Sequence, residues 1–410
     1  MAAAGWRAYL NGRILAILFF GFSSGLPLYT LLSLTQAWLS KSGMNLKTLG
    51  LFSVVMFSYT FKFLWSPLMD RYALPLGRRR GWMALTQLLL FLLIGGMGWL
   101  DPVGQVGLVA LCVGAVAFVS ASQDVVIDAY RREVLEDNQQ GMGAAAIVSA
   151  YKAAQLIPGS LGLILADSYP WTTVFWIVAA FMLPGLVCTL LVKEPKVYGD
   201  PPKNLQQAIV LPFREFIERD GWRKALWIVA FILLYKIGDS MATALATKFF
   251  LDLGFTTTQI GLAANATVLW ASLAGGIVGG VWMVKLGINR ALWVFGVLQA
   301  VAILGFAWLA KAGADPVLLA GVYGFESFTS TGLGTAALVA FISRATDPRY
   351  TATQYALFSS LAAVPRTFIN ASVGYIVTET GWFNFFIICF ILAFPAMMML
   401  PKIAPWNSTK

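Results

Sequence analysis

The sequence predicts an all-α polytopic membrane protein: twelve transmembrane helices in two pseudo-symmetric six-helix bundles. Three observations carry that expectation. Apolar runs of about 20 residues, the length a helix needs to span a bilayer core, recur along all 410 residues. The chain is 59% hydrophobic and only 12% charged, too apolar for a soluble protein to conceal. Lysine and arginine also gather on alternate loops, as they do on the cytoplasmic side of inner-membrane proteins.

The spans fall at 13–40, 46–69, 81–100, 105–130, 142–166, 172–192, 223–251, 258–284, 290–310, 316–343, 351–378 and 382–400. Arg7 and Arg13 before an apolar stretch suggest a signal peptide, but the stretch runs on to about Leu39, too long for one. It is expected to be retained as the first helix. Most links are short. The exception is 193–222, polar and charged from Lys193-Glu194-Pro195-Lys196 to Arg219-Asp220-Gly221. It divides an N-terminal bundle, 1–192, from a C-terminal bundle, 223–410. With the N-terminus placed inside, 21 lysines and arginines fall on the cytoplasmic side and only Lys41, Lys47 and Lys311 opposite. Both termini are therefore expected in the cytoplasm.

Composition also excludes functions. The net charge of +10 is spread over these loops, so it signals topology rather than nucleic-acid binding. Cys112, Cys188 and Cys389 lie in apolar runs at no ligand spacing, so neither disulfides nor a metal are expected, and no cofactor. There is no histidine, which leaves proton chemistry to carboxylates. No phosphate loop points to direct use of ATP. A membrane-embedded transferase would want a nucleophile and base or a metal-bound nucleotide site, and no such cluster is apparent. The absence of a sizeable extracellular segment argues against a receptor. A secondary transporter remains, lying in the bilayer and working as a monomer.

Chemistry centres on Ser122-Gln123-Asp124-Val125-Val126-Ile127-Asp128-Ala129-Tyr130-Arg131 in the fourth span. Asp124 and Asp128 are four residues apart and share a helix face. An aspartate at the bilayer centre costs about 2.5–3.5 kcal/mol on insertion scales, so it needs a partner or a wet cavity. At ~1.5 Å per residue, Asp124 lies about 10 Å from Arg131, Lys62 about 12 Å from Asp70 and Lys152 about 16 Å from the start of its span. These three share one depth. Burial favours a protonated Asp124 and a nearby lysine an ionised one, a competition that suits loading and releasing a proton. Asp239 and Glu326 are the other candidate proton carriers. Lys236 and Asp239 are placed to pair locally, and Glu326 and Arg366 to pair across the C-terminal half. Gln123, Asp124, Lys62, Lys152, Gln155, Lys236, Arg366 and Gln354 are the candidate substrate-binding residues.

Ser66-Pro67-Leu68-Met69-Asp70-Arg71 followed by Gly77-Arg78-Arg79-Arg80 has a degenerate echo at Gly280–Gly287 and Asn289-Arg290 in the second half. With six plus six helices and a central loop, this resembles the major facilitator superfamily, which implies two halves rocking about a midplane site. Asp70, Arg71, Arg78 and Arg79, with Asp128 and Arg131 at the end of the fourth span, are then expected to form a cytoplasmic gate. Ser66 stands where that family usually has glycine, and Val284 where the second copy would have an acid.

A narrower resemblance rests on Phe22-Ser23-Ser24-Gly25-Leu26-Pro27-Leu28, Phe63-Leu64-Trp65-Ser66-Pro67 and the Gln123–Arg131 stretch. Together these look like the AmpG-type muropeptide permeases of Gram-negative bacteria. The resemblance implies proton-driven import of N-acetylglucosaminyl-1,6-anhydro-N-acetylmuramyl peptides across the inner membrane, for peptidoglycan recycling and, indirectly, β-lactamase induction. Acetyl-CoA transporters share parts of the pattern, so another anionic solute or a sugar or peptide stays open as the cargo.

Overall fold

The computed structural model describes residues 11–42, 55–196, 205–256, 259–260, 263 and 267–407; within these, nothing is described of the side chains of 40, 55–56, 205, 220 and 365–371. The chain runs through α1 (Gly12–Leu39), α2 (55–71), α3 (Arg80–Met97), α4 (Val106–Val134), α5 (Asp137–Leu165) and α6 (Trp171–Leu191). A linker helix, α7 (Leu205–Asp220), leads into α8 (Trp222–Asp252). The span Leu269–Ala312 is two helices, α9 (269–286) and α10 (288–312), joined at Gly287, whose φ of 77° and ψ of 161° are not helical. After α11 (Pro316–Ala345), Thr351–Ile403 turns likewise at Gly381, φ 73°, into α12 (351–380) and α13 (382–403).

Each half of these two spans is a helix of its own, and together the halves are long enough to cross the hydrocarbon twice. Glycine makes that reversal because it adopts positive φ without a Cβ clash. Nine described helices are long and apolar enough to cross a membrane. These nine do not by themselves make the expected twelve, although two of them divide at these glycines and α2 is described only from residue 55 onward.

Three departures from the sequence expectation shape the site. First, α4 continues four residues beyond its expected end at 130, so Arg131, Arg132 and Glu133 are helical and buried. Second, the 193–222 segment is not wholly irregular: α7 packs Phe216 edge-on against Phe358 of α12 at 4.9 Å. Third, several membrane helices are interrupted. Helix α1 becomes π-helical over Thr30–Leu34 after Pro27, α5 over Ile157–Leu161 around Pro158, and α11 over Ser327–Gly334. Helix α8 breaks at Lys236, where φ is −108° and ψ 8°. Proline removes a backbone donor and π-turns re-aim side chains, which is why such interruptions gather at functional sites.

Packing explains the distribution of small residues. One apolar cluster, around Leu90, Val113 and Phe175, belongs to the N-terminal half, and another, around Phe249, Phe306 and Phe386, to the C-terminal half. The two clusters nearest the seam each borrow alanines from the other half, Ala144 and Ala145 in one and Ala352 and Ala356 in the other. Alanines let helices approach closely without interlocking. At Gly275 a Cβ would strike the Phe328 carbonyl and approach the Cα of Gly332 to 3.1 Å, so α9 and the π-segment of α11 meet backbone to backbone. Gly275→Val is expected to destabilise the fold by roughly 1–3 kcal/mol, as overpacking does, read as an earlier thermal transition in detergent.

Candidate coupling site and gate

Asp124 is 8% exposed and accepts a hydrogen bond from the Ser24 hydroxyl of α1. Beside it, Gln123 donates through Nε2 to Ser23 Oγ at 3.2 Å, while its own Oε1 has no partner among the described residues. The FSSGLPL stretch of α1 therefore supplies the hydroxyls that hold the polar part of α4. Gly25 lets α1 come close to α5, since a Cβ there would strike the Tyr151 carbonyl. From α2, Tyr59 donates to Ser120 Oγ at 2.8 Å and Trp65 Nε1 to Ser122 Oγ at 2.9 Å.

Lys62 sits in a 3-10 turn of α2 and is 7% exposed, close enough to feel both Asp124 and Asp128. The Lys152 ammonium lies 6.0 Å from the Tyr29 ring centroid. Gln155 is half-buried where α5 leaves α-helical geometry.

In the other half, Lys236 Nζ pairs with Asp239 at 2.9 Å and also donates to the Ser330 carbonyl at 2.8 Å and hydroxyl at 2.5 Å. Glu326 is 3% exposed, and its described partners are Ser327 Oγ at 3.1 Å and the Asp239 carboxyl. Its expected partner Arg366 has a side chain outside the described residues. Gln354 lies at the linker. It sits one turn into α12, where Nε2 donates to the Pro212 carbonyl (2.9 Å) and to Glu215 (2.6 Å) and Oε1 accepts from the Asp347 amide (2.7 Å). These bonds tie it to the linker helix α7 and to the loop before α12.

At the basic end of the bundle, Arg79 donates through Nη2 to Asp70 (2.7 Å) and Glu133 (2.6 Å) and through Nη1 to the Met69 carbonyl (3.2 Å). Arg78 adds bonds to Glu133 at 3.0 Å and, at 3.9 Å, to Asp70. Burial alone would lower the Arg79 guanidinium, but Glu133 and Asp70 outweigh it and hold it above its ordinary value. Asp70 also crosses to the C-terminal half. It accepts from the backbone N–H of Ala352 (3.2 Å) and Thr353 (2.8 Å) and from the Thr353 hydroxyl (2.7 Å), the first turn of α12. Unpaired amides and the helix dipole favour an anion there.

Arg131 bonds Asp128 at 3.4 Å and the Tyr355 hydroxyl of α12 at 3.0 Å, and Arg132 reaches the Thr346 carbonyl at 3.4 Å. The Arg71 guanidinium lies 5.2 Å from the Tyr72 ring centroid. The two halves are thus tied together at the end that carries the arginines. Asp70→Asn removes the charge facing α12 but keeps an acceptor. Transport is expected to slow several-fold with substrate affinity little changed, because the balance of states shifts rather than the site; initial uptake rates measured beside equilibrium binding check this.

Sequence reasoning missed Ser24, Glu133, Thr353, Tyr355 and Ser330. Glu133 had a signal, since it continues the Arg131-Arg132 run on the helix. The hydroxyls had none, because serine and threonine are frequent in membrane helices.

A buried carboxylate among hydroxyls, with a lysine nearby and a charged tie between two helical halves at one end, is the equipment of a solute carrier. The family model described as Major Facilitator Superfamily matches residues 13–369, and the chain belongs to that superfamily. It is a multi-pass membrane transporter and not an enzyme. More specifically, it is similar to AmpG-type permeases. It is 39% identical to the anhydromuropeptide permease of Escherichia coli K12 over 96% of this chain and 80% of that one. It is 44% identical to an uncharacterized protein of Haemophilus influenzae, covering 96% and 95%, and 30% identical to the putative transporter AmpG 4 of Rickettsia felis, covering 96% and 97%. Among solved structures, the FucP transporter in its outward conformation matches with TM-score 0.72 at 14% identity, covering 96% and 99%. The proton:xylose symporter XylE matches at 0.69 and 14%, covering 99% and 97%. At that identity these two speak for the fold alone.

Proposed function

We propose that this protein imports anhydro-muropeptides, N-acetylglucosaminyl-1,6-anhydro-N-acetylmuramyl peptides, across a bacterial inner membrane by proton symport. The imported fragments feed peptidoglycan recycling and thereby influence β-lactamase induction. The observation that carries the mechanism is Asp124, buried on α4 between the Ser24 hydroxyl and Lys62. The cargo rests on the similarity to an anhydromuropeptide permease along nearly the whole chain.

The chain lies with both termini in the cytoplasm, because 21 lysines and arginines fall on that side and three on the other. Residues 1–192 and 223–410 are the rocking units, and the alanine-lined seam between them is where they slide. In the state described, the Asp70 and Arg131 ties close the cytoplasmic end. Cargo and proton therefore enter from the periplasm. Protonation of Asp124 frees Lys62 to take a cargo carboxylate, and Gln123 has an unused Oε1 for a sugar hydroxyl or amide. Opening inward breaks the Asp70–α12 bonds, and the proton leaves to the cytoplasm.

The test is uptake of labelled anhydro-muropeptide by membrane vesicles containing the purified chain. Accumulation under an imposed proton gradient, abolished by an uncoupler, is expected. Uptake indifferent to the gradient would remove the coupling, and no uptake would remove the cargo.

A further inference from the structure

The C-terminal half holds a charged cluster that a one-proton cycle through Asp124 leaves unused. Asp239 and Glu326 are both buried, on α8 and α11, and their carboxyls lie within hydrogen-bonding reach of each other. One lysine serves them. The Lys236 ammonium is filled by Asp239 Oδ2, the Ser330 carbonyl and the Ser330 hydroxyl, so it has no proton left for Glu326. Asp239 Oδ1 is buried, and no N–H or O–H among the described residues reaches it. Two bare carboxylates beside one ammonium would leave an unbalanced charge in the membrane and an acceptor with no donor. A single proton removes both defects.

We propose that Asp239 and Glu326 hold one proton between them, making the C-terminal half a second protonation site independent of Asp124. Among the described residues, the surroundings supply no charge besides Lys236. Tyr323 and Cys389 are the other titratable groups found near the pair, and both are neutral donors. Arg366 of α12 has a side chain outside the described residues. The placement gives the proton a mechanical role. Lys236 occupies the break in α8, and Glu326 and Ser330 bracket the start of the π-segment of α11. With the proton present, the two interrupted helices are held together. Its loss sets Glu326 against Asp239 and parts them. The inference uses the proton-coupled reading only for this consequence in transport; the shared proton itself needs neither cargo nor gradient.

Infrared spectroscopy of the purified full chain in lipid nanodiscs, without cargo, tests it. The Asp124→Asn variant is the reference, so that its own carboxyl contributes nothing. The carbonyl band of a protonated carboxylic acid, shifted by exchange into D2O, is expected there. It should vanish when either Glu326→Gln or Asp239→Asn is added, because the one remaining carboxylate then pairs with Lys236 and ionises. If one double variant fails to fold, the other decides. Absence of the band in Asp124→Asn, or its survival in either folded double variant, overturns the proposal. Uptake of muropeptide is not read, so failure here leaves the cargo and Asp124 assignments standing, and their failure leaves this result intact.

Discussion

Asp124→Asn is expected to abolish gradient-driven accumulation while exchange of cargo across the membrane continues. Asparagine keeps the shape of the side chain and an oxygen to accept from Ser24, so α1 and α4 remain engaged. What it cannot do is carry a proton. For each net positive charge moved with the cargo, a 100 mV potential supplies about 2.3 kcal/mol, or a roughly 50-fold concentration ratio. Loss of the carrier should bring that ratio to about one. Preloaded vesicles should still exchange labelled for unlabelled muropeptide, since rocking of the halves requires no energy input. A variant that still concentrates cargo would move the coupling role to Asp239 and Glu326.

Arg79→Ala is expected to cost roughly 3–5 kcal/mol of stability, the loss typical of stranding a buried charge. Its guanidinium is fully buried and joins Asp70 to Glu133, each at 2.7 Å or less. Without it, the two carboxylates face each other with Arg78 at 3.0 Å from Glu133 and 3.9 Å from Asp70 as the remaining guanidinium of the network. Arg79→Lys should recover only part of the loss. One ammonium lacks the planar fork that spans both acids and the Met69 carbonyl together. Thermal unfolding in detergent separates the cases, with Arg79→Ala lowest, Arg79→Lys between, and Arg79→Ala with Glu133→Gln partly restored. Equal stability of all variants would show that the network carries no structural load.

How much of the site was legible varied with the kind of claim. The Asp124 motif stood out because a carboxylate in an apolar run is costly wherever it points. Asp70 and Arg79 stood out through the loop motif. Glu326 was legible as a buried acid, yet its described neighbour is Asp239, where sequence reasoning assigned Arg366. Gln354 looked like any polar residue in a membrane span, but a linker helix that composition did not announce claims it.

Apolar run lengths fix the chain as a string of membrane helices, and residue spacing fixes roughly how deep each charge lies. In lipid every backbone polar group must be satisfied within its own segment, so apolar length alone dictates helix, and rise per residue dictates depth. Depth is not direction. Which faces meet depends on how each helix is rotated and tilted, and that is set by close contacts such as Gly25 on Tyr151 and Gly275 on Phe328. Only the tertiary structure could therefore bring Ser24 to Asp124, seat Asp70 on the first turn of α12, and place Glu326 against Asp239. Each of these bonds joins residues at least 80 positions apart along the chain, and no local pattern encodes them.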